Sequence, residues 1–185
     1  MNVHHPWHGV SPGNNAPQEV KAVIEISKNS RTKYELDKPS GLLTLDRILF
    51  SSVHYPANYG LIPQTYFTDH DPLDILVICS ENLAPYSIVD ARVIGLMEMR
   101  DNGDVDDKII AVASHDISLK HIQEITDLPE YTLLEFQNFF EDYKKLEKKP
   151  VEVLGFKNKK VAYHCITESI VRYEKEIKPT LDLNK

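Results

Sequence analysis

The sequence contains two kinds of hydrophobic periodicity, and the order in which they occur limits the possible fold most strongly. Up to about residue 113 the apolar residues fall in short runs that often alternate with polar ones, as in VKAVIEI (Val20–Ile26) and LLTLDRI (Leu42–Ile48). Runs of this kind, rich in Val, Ile and Leu and bounded by turn signals, predict β-strands. Helical spacing follows only later in the chain. We therefore predict an α+β fold, mainly β, in which a small, highly curved sheet or barrel carries helices on its outside.

The turn signals set the limits of the predicted strands. Those strands are Val20–Ile26, Tyr34–Leu36, Leu42–Ile48, Ile75–Cys79, Ile88–Met99 and Lys108–Ala113. The sequence KPSG at 38–41 suits a tight hairpin between two of them. Pro56, Gly60 and Pro63 interrupt the stretch from Ser51 to Gln64, so we expect a structured loop there and no regular element.

Two helices are predicted toward the C-terminus. The apolar face of the first, which follows Pro129, consists of Leu133, Phe136, Phe140 and Tyr143. The second runs from about Lys159 to Ile177 with a stripe of Ile166, Ile170, Tyr173 and Ile177. Without an internal repeat or linker, residues 1–185 are predicted to form a single domain, with residues 1–19 as an N-terminal arm and 178–185 as a C-terminal tail.

Composition excludes some classes of protein. The chain has 185 residues and a net charge of −7, so a nucleic-acid partner would require a local basic face. No stretch approaches the ~20 apolar residues of a membrane span, and no signal peptide is recognisable, so we expect no membrane partner. Cys79 and Cys165 lie far apart, and we expect two buried reduced thiols and a cytoplasmic location.

The N-terminal sequence MNVHHPWHGVSP holds His4, His5 and His8. Three histidines are able to ligate a metal ion. The neighbouring Pro and Gly argue against a preformed site, so we interpret the segment as a plain surface arm.

The segment TDHDPLDILV places Asp69, Asp71 and Asp74 directly before an apolar strand. Pro72 favours an extended or turn conformation at Asp71, and residues two apart in an extended segment share a face. Three carboxylates brought together repel one another unless a hard cation such as Mg²⁺ lies between them. The alternative is an Asp-rich turn with solvated side chains. A calcium-binding EF-hand loop is excluded, because Leu73 and Asp74 stand where that loop needs Asp or Asn and then Gly.

A second acidic cluster, DNGDVDDK at 101–108, separates two predicted strands. Its Asn-Gly pair is a hairpin signal in itself, so the segment taken alone predicts a turn more readily than a metal site.

A third group is cationic and aromatic and consists of Lys33, Arg47, Tyr55, Tyr59, Tyr143 and Lys144. Acidic clusters and basic groups on one small domain together describe a site that holds a polyanion through divalent metals.

These residues resemble the signature of the family I soluble inorganic pyrophosphatases. The pattern Asp69-x-Asp71-Pro72-x-Asp74 before an aliphatic strand carries the resemblance. The other matching pieces, in the family's order, are IEI (24–26), KYE (33–35), Gly41 with Asp46-Arg47, YPxNYG (55–60), 101–108 and FFEDYK (139–144). The resemblance covers roughly residues 20–160. The sequences HPWH (5–8) and Asp106-Asp107-Lys108 are closer to the plant-like branch.

The resemblance implies a five-stranded OB-type β-barrel with flanking helices, which hydrolyses pyrophosphate to two phosphates with Mg²⁺. Asp69, Asp74 and Asp106 match the carboxylates that hold the two activating metals, and Asp74 is the bridging one. Asp101 and Asp106 match ligands of the metals that arrive with substrate. Glu25 and Glu35 match acidic residues around that site. Lys108 matches a residue that supports the site.

The remaining roles follow from the same resemblance. Asp71 matches the group that takes a proton from the nucleophilic water. The phosphate-binding groups match Lys33, Arg47, Tyr59, Tyr143 and Lys144, with Tyr55 beside them. Asn102 is a departure, because many members have Glu at that position.

The resemblance also implies a homo-oligomer, with a hexamer as the first expectation, and activity with Mn²⁺ but inhibition by Ca²⁺. Two other classes are the alternatives: an OB-fold nucleic-acid binder and a catalytically silent divalent-cation module. The net charge of −7 and the acid-lined site speak against the first, so we expect no nucleic-acid partner. A basic groove with stacking aromatics would favour the first, and an absence of phosphate release the second.

Overall fold

A ring of five strands forms the centre of the computed structural model, which describes residues 5–182. Strands pair in the order β1-β4-β5-β8-β6, and β6 pairs with β1 to close the ring. All of these pairs are antiparallel except β5 with β8. The predicted α+β fold with a five-stranded barrel is therefore confirmed.

The six predicted strands are all present, with ends that differ from the predicted ends by at most two residues. The strands are β1 (Glu19–Ile26), β2 (Thr32–Leu36), β3 (Leu43–Ile48), β4 (Asn58–Leu61), β5 (Asp74–Ile78), β6 (Ile88–Asp101), β7 (Asp104–Val105), β8 (Lys108–Ala113) and β9 (Val151–Asn158). The helices are α1 (Glu130–Asp142), α2 (Lys159–Arg172) and α3 (Lys178–Asp182). The β2–β3 hairpin forms a separate two-stranded sheet, and β9 extends the main sheet beside β6.

The expectation of a loop without regular structure from Ser51 to Gln64 is wrong for residues 58–61, which form the buried strand β4. The sequence analysis takes Gly60 as a loop signal, because glycine usually weakens a strand. Here a Cβ atom at Gly60 would lie 2.0 Å from the Val23 carbonyl oxygen of β1. Glycine thus permits the close approach of two ring strands. Strand β9 was also not predicted.

Alternating strand residues supply two apolar layers. Ile110 and Val112 of β8 face a layer that includes Phe136 and Phe140 of α1. Ile109 on the same strand faces a second layer that includes Ile166 of α2. Both predicted helices therefore pack against the ring through their apolar residues.

The second helix differs from its prediction near its C-terminus. Asn158 caps α2, because its side-chain oxygen accepts a hydrogen bond from the Lys160 amide at 3.0 Å. The chain then continues through a π-helical turn at Tyr173–Ile177 into α3. Residues 178–182 of the predicted tail are thus helical, and residues 183–185 lie outside the described part.

The interpretation of the N-terminal segment as a plain surface arm is wrong. His5 and Trp7 are buried, and the Trp7 indole donates a hydrogen bond to the Thr65 carbonyl oxygen at 2.8 Å. His5 Nε2 lies 2.8 Å from the Lys38 carbonyl oxygen, and His8 Nδ1 lies 2.8 Å from the Tyr173 hydroxyl. The large apolar area of the indole favours packing over solvation. His4 lies outside the described residues.

The cysteines are free, but the expectation that both are buried is wrong, because Cys79, directly after β5, and Cys165, within α2, are only partly buried. Burial raises the pKa of the Cys165 thiol to about 12, so this thiol stays protonated near neutral pH. No helix within residues 5–182 is both long enough and apolar enough to cross a membrane.

Candidate active site

One cavity of about 460 Å³ is lined by every predicted site residue except Arg47. Its predicted acidic residues are Glu25, Glu35, Asp69, Asp71, Asp74, Asp101 and Asp106. Its predicted cations and tyrosines are Lys33, Lys108, Lys144, Tyr55, Tyr59 and Tyr143. Residues spread over most of the chain are thus brought to one surface of the barrel.

The segment before β5 supplies three carboxylates. The Asp71 amide donates a hydrogen bond to Asp69 Oδ1 at 3.1 Å, and both residues line the cavity. His70 between them adopts a left-handed φ of 68°, so the segment is a turn and not an extended strand. Asp74 is the first residue of β5.

The parallel pairing of β5 with β8 brings the two acidic segments together. Ile75 is in register with Ile109, so the preceding residues, Asp74 and Lys108, begin the two strands at the same edge. Asp106 lies two residues before β8 in the connection from β7. The predicted hairpin at 101–108 is present, since β6 pairs with β7 around Asn102 and Gly103, both with positive φ. The segment is therefore both a turn and part of the cavity wall.

Lys108 links these segments. Its ammonium group donates hydrogen bonds to Asp74 and Asp106 and lies 5.9 Å from the centre of the Tyr59 ring. Lys108 is 2% exposed. Burial lowers its pKa, but the charges of Asp106 and Asp74 outweigh this effect, and the net pKa is raised. Lys108 therefore remains charged at any physiological pH.

Burial and mutual repulsion raise the pKa values of several carboxyl groups. Desolvation and the charge of Asp74 raise the pKa of Asp69 to about 6. The same two causes raise the pKa of Glu25 to about 8, although Glu25 accepts a hydrogen bond from the Leu36 amide at 2.9 Å. The pKa of Asp106 is also raised, chiefly by burial. A bound cation would stabilise the ionised forms of these crowded groups and so lower their pKa values.

The cavity also carries hydrogen-bond donors. Tyr143 and Lys144 follow directly after α1, and the Lys144 ammonium contacts the Asp101 carboxylate. Lys33 on β2 contacts Glu35 and lies 3.2 Å from an oxygen of Asp46. The tyrosines at 55, 59 and 143 have pKa values well above 10 because they are buried. Their hydroxyl groups therefore stay neutral and able to donate hydrogen bonds.

Arg47 lies beside the cavity and does not line it. It stands opposite Lys33 in the β2–β3 pairing and contacts the carboxylate of Asp46. A second carboxylate, that of Glu147, lies 2.7 Å from Arg47 Nε.

The donor set fits Mg²⁺. The acidic groups around the cavity are all carboxylates, which suit a hard cation. Within residues 5–182 no three His, Cys, Asp or Glu side chains come close enough together to enclose a metal ion by themselves. Mg²⁺ does not require such a cage, because it commonly keeps several waters and binds one or two carboxylates together with substrate phosphates.

Lys38 lines the cavity but was not among the predicted site residues. Its ammonium contacts the Asp71 carboxylate and lies 3.2 Å from the His70 carbonyl oxygen. Its sequence context, KPSG, signals a turn and gives no indication of chemistry. Glu147 was also missed, because no local pattern relates it to Arg47.

A barrel whose cavity is lined by carboxylates together with lysines and tyrosines is suited to a polyphosphate held with divalent cations. The protein-family model described as inorganic pyrophosphatase matches residues 22–174. The chain is 49% identical to soluble inorganic pyrophosphatase 1 of Arabidopsis thaliana, covering 96% of this chain and 84% of that protein. It is 47% identical to soluble inorganic pyrophosphatase 2 of Chlamydomonas reinhardtii, over 95% and 91% of the two chains.

Solved structures give the same result. The crystal structure of inorganic pyrophosphatase from Thermus thermophilus superposes with a TM-score of 0.87 at 42% identity, over 89% of this chain and 97% of that one. The chain therefore belongs to the family I soluble inorganic pyrophosphatases.

Proposed function

We propose that this chain hydrolyses inorganic pyrophosphate to two orthophosphates in the cavity described above. It is an inorganic diphosphatase by family. The observation that carries the proposal is that carboxylates from residues 69–74 and 101–106 line one cavity with Lys33, Tyr143 and Lys144.

Asp69, Asp74, Asp101 and Asp106 would hold Mg²⁺, with Glu25 and Glu35 around them. Bound Mg²⁺ would neutralise phosphate charge and lower the pKa of the attacking water. We expect Mn²⁺ to substitute, since it accepts similar oxygen ligands, and Ca²⁺ to inhibit.

Asp71 would accept the proton of the attacking water. It is half exposed to the cavity, and its carboxylate is held by Lys38. Asp69 and Asp74 on either side are available as metal ligands, which leaves Asp71 free for proton transfer. The proton leaves the water as its oxygen forms a bond to phosphorus and the bridging P–O bond breaks.

The lysines and tyrosines that line the cavity would stabilise the departing phosphate. Lys33 and Lys144 supply ammonium groups, and Tyr59 and Tyr143 supply neutral hydroxyl groups. Charge builds up on the leaving phosphate in the transition state, where such donors act most strongly. Arg47 would add its guanidinium from the edge of the cavity, with Tyr55 and Lys108 in support.

Phosphate release from pyrophosphate with Mg²⁺ tests the function directly. We expect release by the wild-type chain and a strong reduction in Arg47→Ala, in which KM rises and kcat falls. A wild-type chain that releases no phosphate would leave a divalent-cation module as the better description.

Assembly and location are also proposals. Several large apolar side chains of the β2–β3 hairpin and the residues after it are exposed, including Leu45 and Phe50. Such exposure supports self-association, and a hexamer remains our first expectation. The free thiols and the names of the soluble relatives support a cytoplasmic location.

A further inference from the structure

Arg47 and Glu147 form a buried ion pair beside the candidate active site. Glu147 lies in the short 3₁₀ turn Lys145–Glu147 that follows α1, and Arg47 lies on β3. Oε1 of Glu147 is 2.7 Å from Nε of Arg47, and the two side chains are 8% and 16% exposed. A carboxylate so well shielded from water is unusual unless it has a charged partner.

The three guanidinium nitrogens of Arg47 have different surroundings. Nη1 donates a hydrogen bond to the Asp46 carboxylate, and Nε lies against Glu147. The contact with Glu147 lacks hydrogen-bond alignment, so it is mainly electrostatic. Nη2 is buried and has no hydrogen-bond partner among the described residues. Two carboxylates, those of Asp46 and Glu147, therefore fix the guanidinium.

We propose that Glu147 is a positioning residue for substrate binding, because it holds the Arg47 guanidinium in place at the edge of the cavity. This inference rests on the proposed function, in which Arg47 binds phosphate. Arginine loses considerable side-chain entropy when it is immobilised. A buried counter-ion immobilises Arg47 in the free protein, so this entropy is lost before substrate binds.

The same pair also connects two groups of phosphate-binding residues. The Glu147 amide donates a hydrogen bond to the Lys144 carbonyl oxygen at 2.9 Å. Lys33 lies opposite Arg47 on β2. Glu147 therefore fixes the turn that begins with Tyr143 and Lys144 against the hairpin that carries Lys33 and Arg47. Loss of the charge would loosen both groups at once.

The test compares Glu147→Gln, Glu147→Asp and the control Asp142→Asn. The glutamine variant keeps the side-chain size and removes the charge, which protects the fold better than truncation of a buried pair. Asp142 belongs to the same segment but pairs with Lys145, which is 74% exposed. For each variant we would measure kcat and KM for pyrophosphate, the affinity for Mg²⁺-imidodiphosphate by calorimetry, and the thermal midpoint.

We expect Glu147→Gln to raise KM and to weaken imidodiphosphate binding by roughly tenfold, within the range of coupling between contacting groups. Its kcat should change less. Glu147→Asp should give intermediate values, and Asp142→Asn should match wild type. In an Arg47→Ala background, Glu147→Gln should cause no further loss of affinity.

Two results would overturn the inference. Unchanged KM and imidodiphosphate affinity with a lower thermal midpoint would make the pair purely structural. Tighter binding in Glu147→Gln would mean that Glu147 competes with substrate for Arg47. A wild-type chain that binds imidodiphosphate but releases no phosphate would refute the proposed function, and the binding measurements would still decide the role of Glu147.

Discussion

The buried ammonium group of Lys108 donates a hydrogen bond to the Asp74 carboxylate at the edge where β5 and β8 begin side by side. Asp106 accepts a second hydrogen bond from the same ammonium. The chain thus places a fixed positive charge between two carboxylates that we assign to metal binding. This lysine has a structural role as well as an electrostatic one.

Lys108→Met should reduce the free energy of unfolding by about 3–5 kcal/mol, because it leaves two partly buried carboxylates without their counter-ion. Urea denaturation at pH 7 measures this change. Lys21→Met is the matched control, since Lys21 pairs with Asp90 on the surface and its loss should cost about 0–1 kcal/mol. Equal effects of the two substitutions would contradict the structural role of Lys108.

Metal removal should abolish phosphate release, because the carboxylates alone repel pyrophosphate. We expect Mg²⁺ to restore activity after exhaustive chelation, Mn²⁺ to restore part of it, and added Ca²⁺ to inhibit the Mg²⁺-loaded enzyme. Calorimetric titration of the apoprotein with each ion provides a control for binding. Full activity in the chelated protein would rule out the metal-dependent mechanism.

Asp71→Asn should lower kcat by roughly 10²–10⁴-fold, the usual loss when a general base is removed. The substitution keeps the shape of the side chain and removes the charge that accepts the proton. Affinity for Mg²⁺ should fall less than in Asp74→Asn, and high pH should partly rescue the rate because hydroxide then forms without a base.

Phosphate-release rates across pH, measured beside calorimetric Mg²⁺ titrations, separate these two roles. If Asp71→Asn lost Mg²⁺ as severely as Asp74→Asn and showed no alkaline rescue, Asp71 would be a metal ligand. The proton acceptor would then be another group.

Light scattering at micromolar protein should give a mass several times the chain's 21.2 kDa. Burial of the exposed apolar side chains Leu42, Leu45, Ile48 and Phe50 between subunits would provide the driving force. Leu45→Lys should weaken the assembly more than Leu154→Lys, a substitution at an exposed leucine on β9. A monomer mass for the wild-type chain would refute the expectation.

His8 should make stability depend on pH. Burial, with a smaller contribution from His5, lowers the pKa of His8 from 6.5 to about 4. The unfolded chain therefore binds an extra proton between pH 6.5 and pH 4, so His8 reduces folded-state stability as the pH falls through this range. Urea denaturation at pH 7 and pH 5 should show a larger loss for wild type than for His8→Gln. Equal losses would mean that His8 titrates normally in the folded protein.

Much of the fold could be predicted from local pattern. The apolar residues of β1 and of the helical face of α1, such as Ile24 and Phe136, are buried as their local pattern predicts. In β3 the alternation predicts the strand, although Leu45 and Ile48 are exposed. Strand β4 could not be predicted in this way, because Gly60 is required by Val23 of another strand. The burial of Trp7 was missed for the same reason, since its surroundings include Thr65 and Tyr173.

For the candidate site, the chemical groups and their local order can be read from the amino-acid sequence: carboxylates before an apolar strand, an acidic hairpin, and Tyr143-Lys144 after an amphipathic helix. Which of these groups meet depends on how the chain folds. Parallel pairing of β5 with β8 places Lys108 between Asp74 and Asp106, and a turn after α1 brings Glu147 to Arg47. These contacts join distant segments, and their energies arise from burial and charge pairing that no local periodicity encodes.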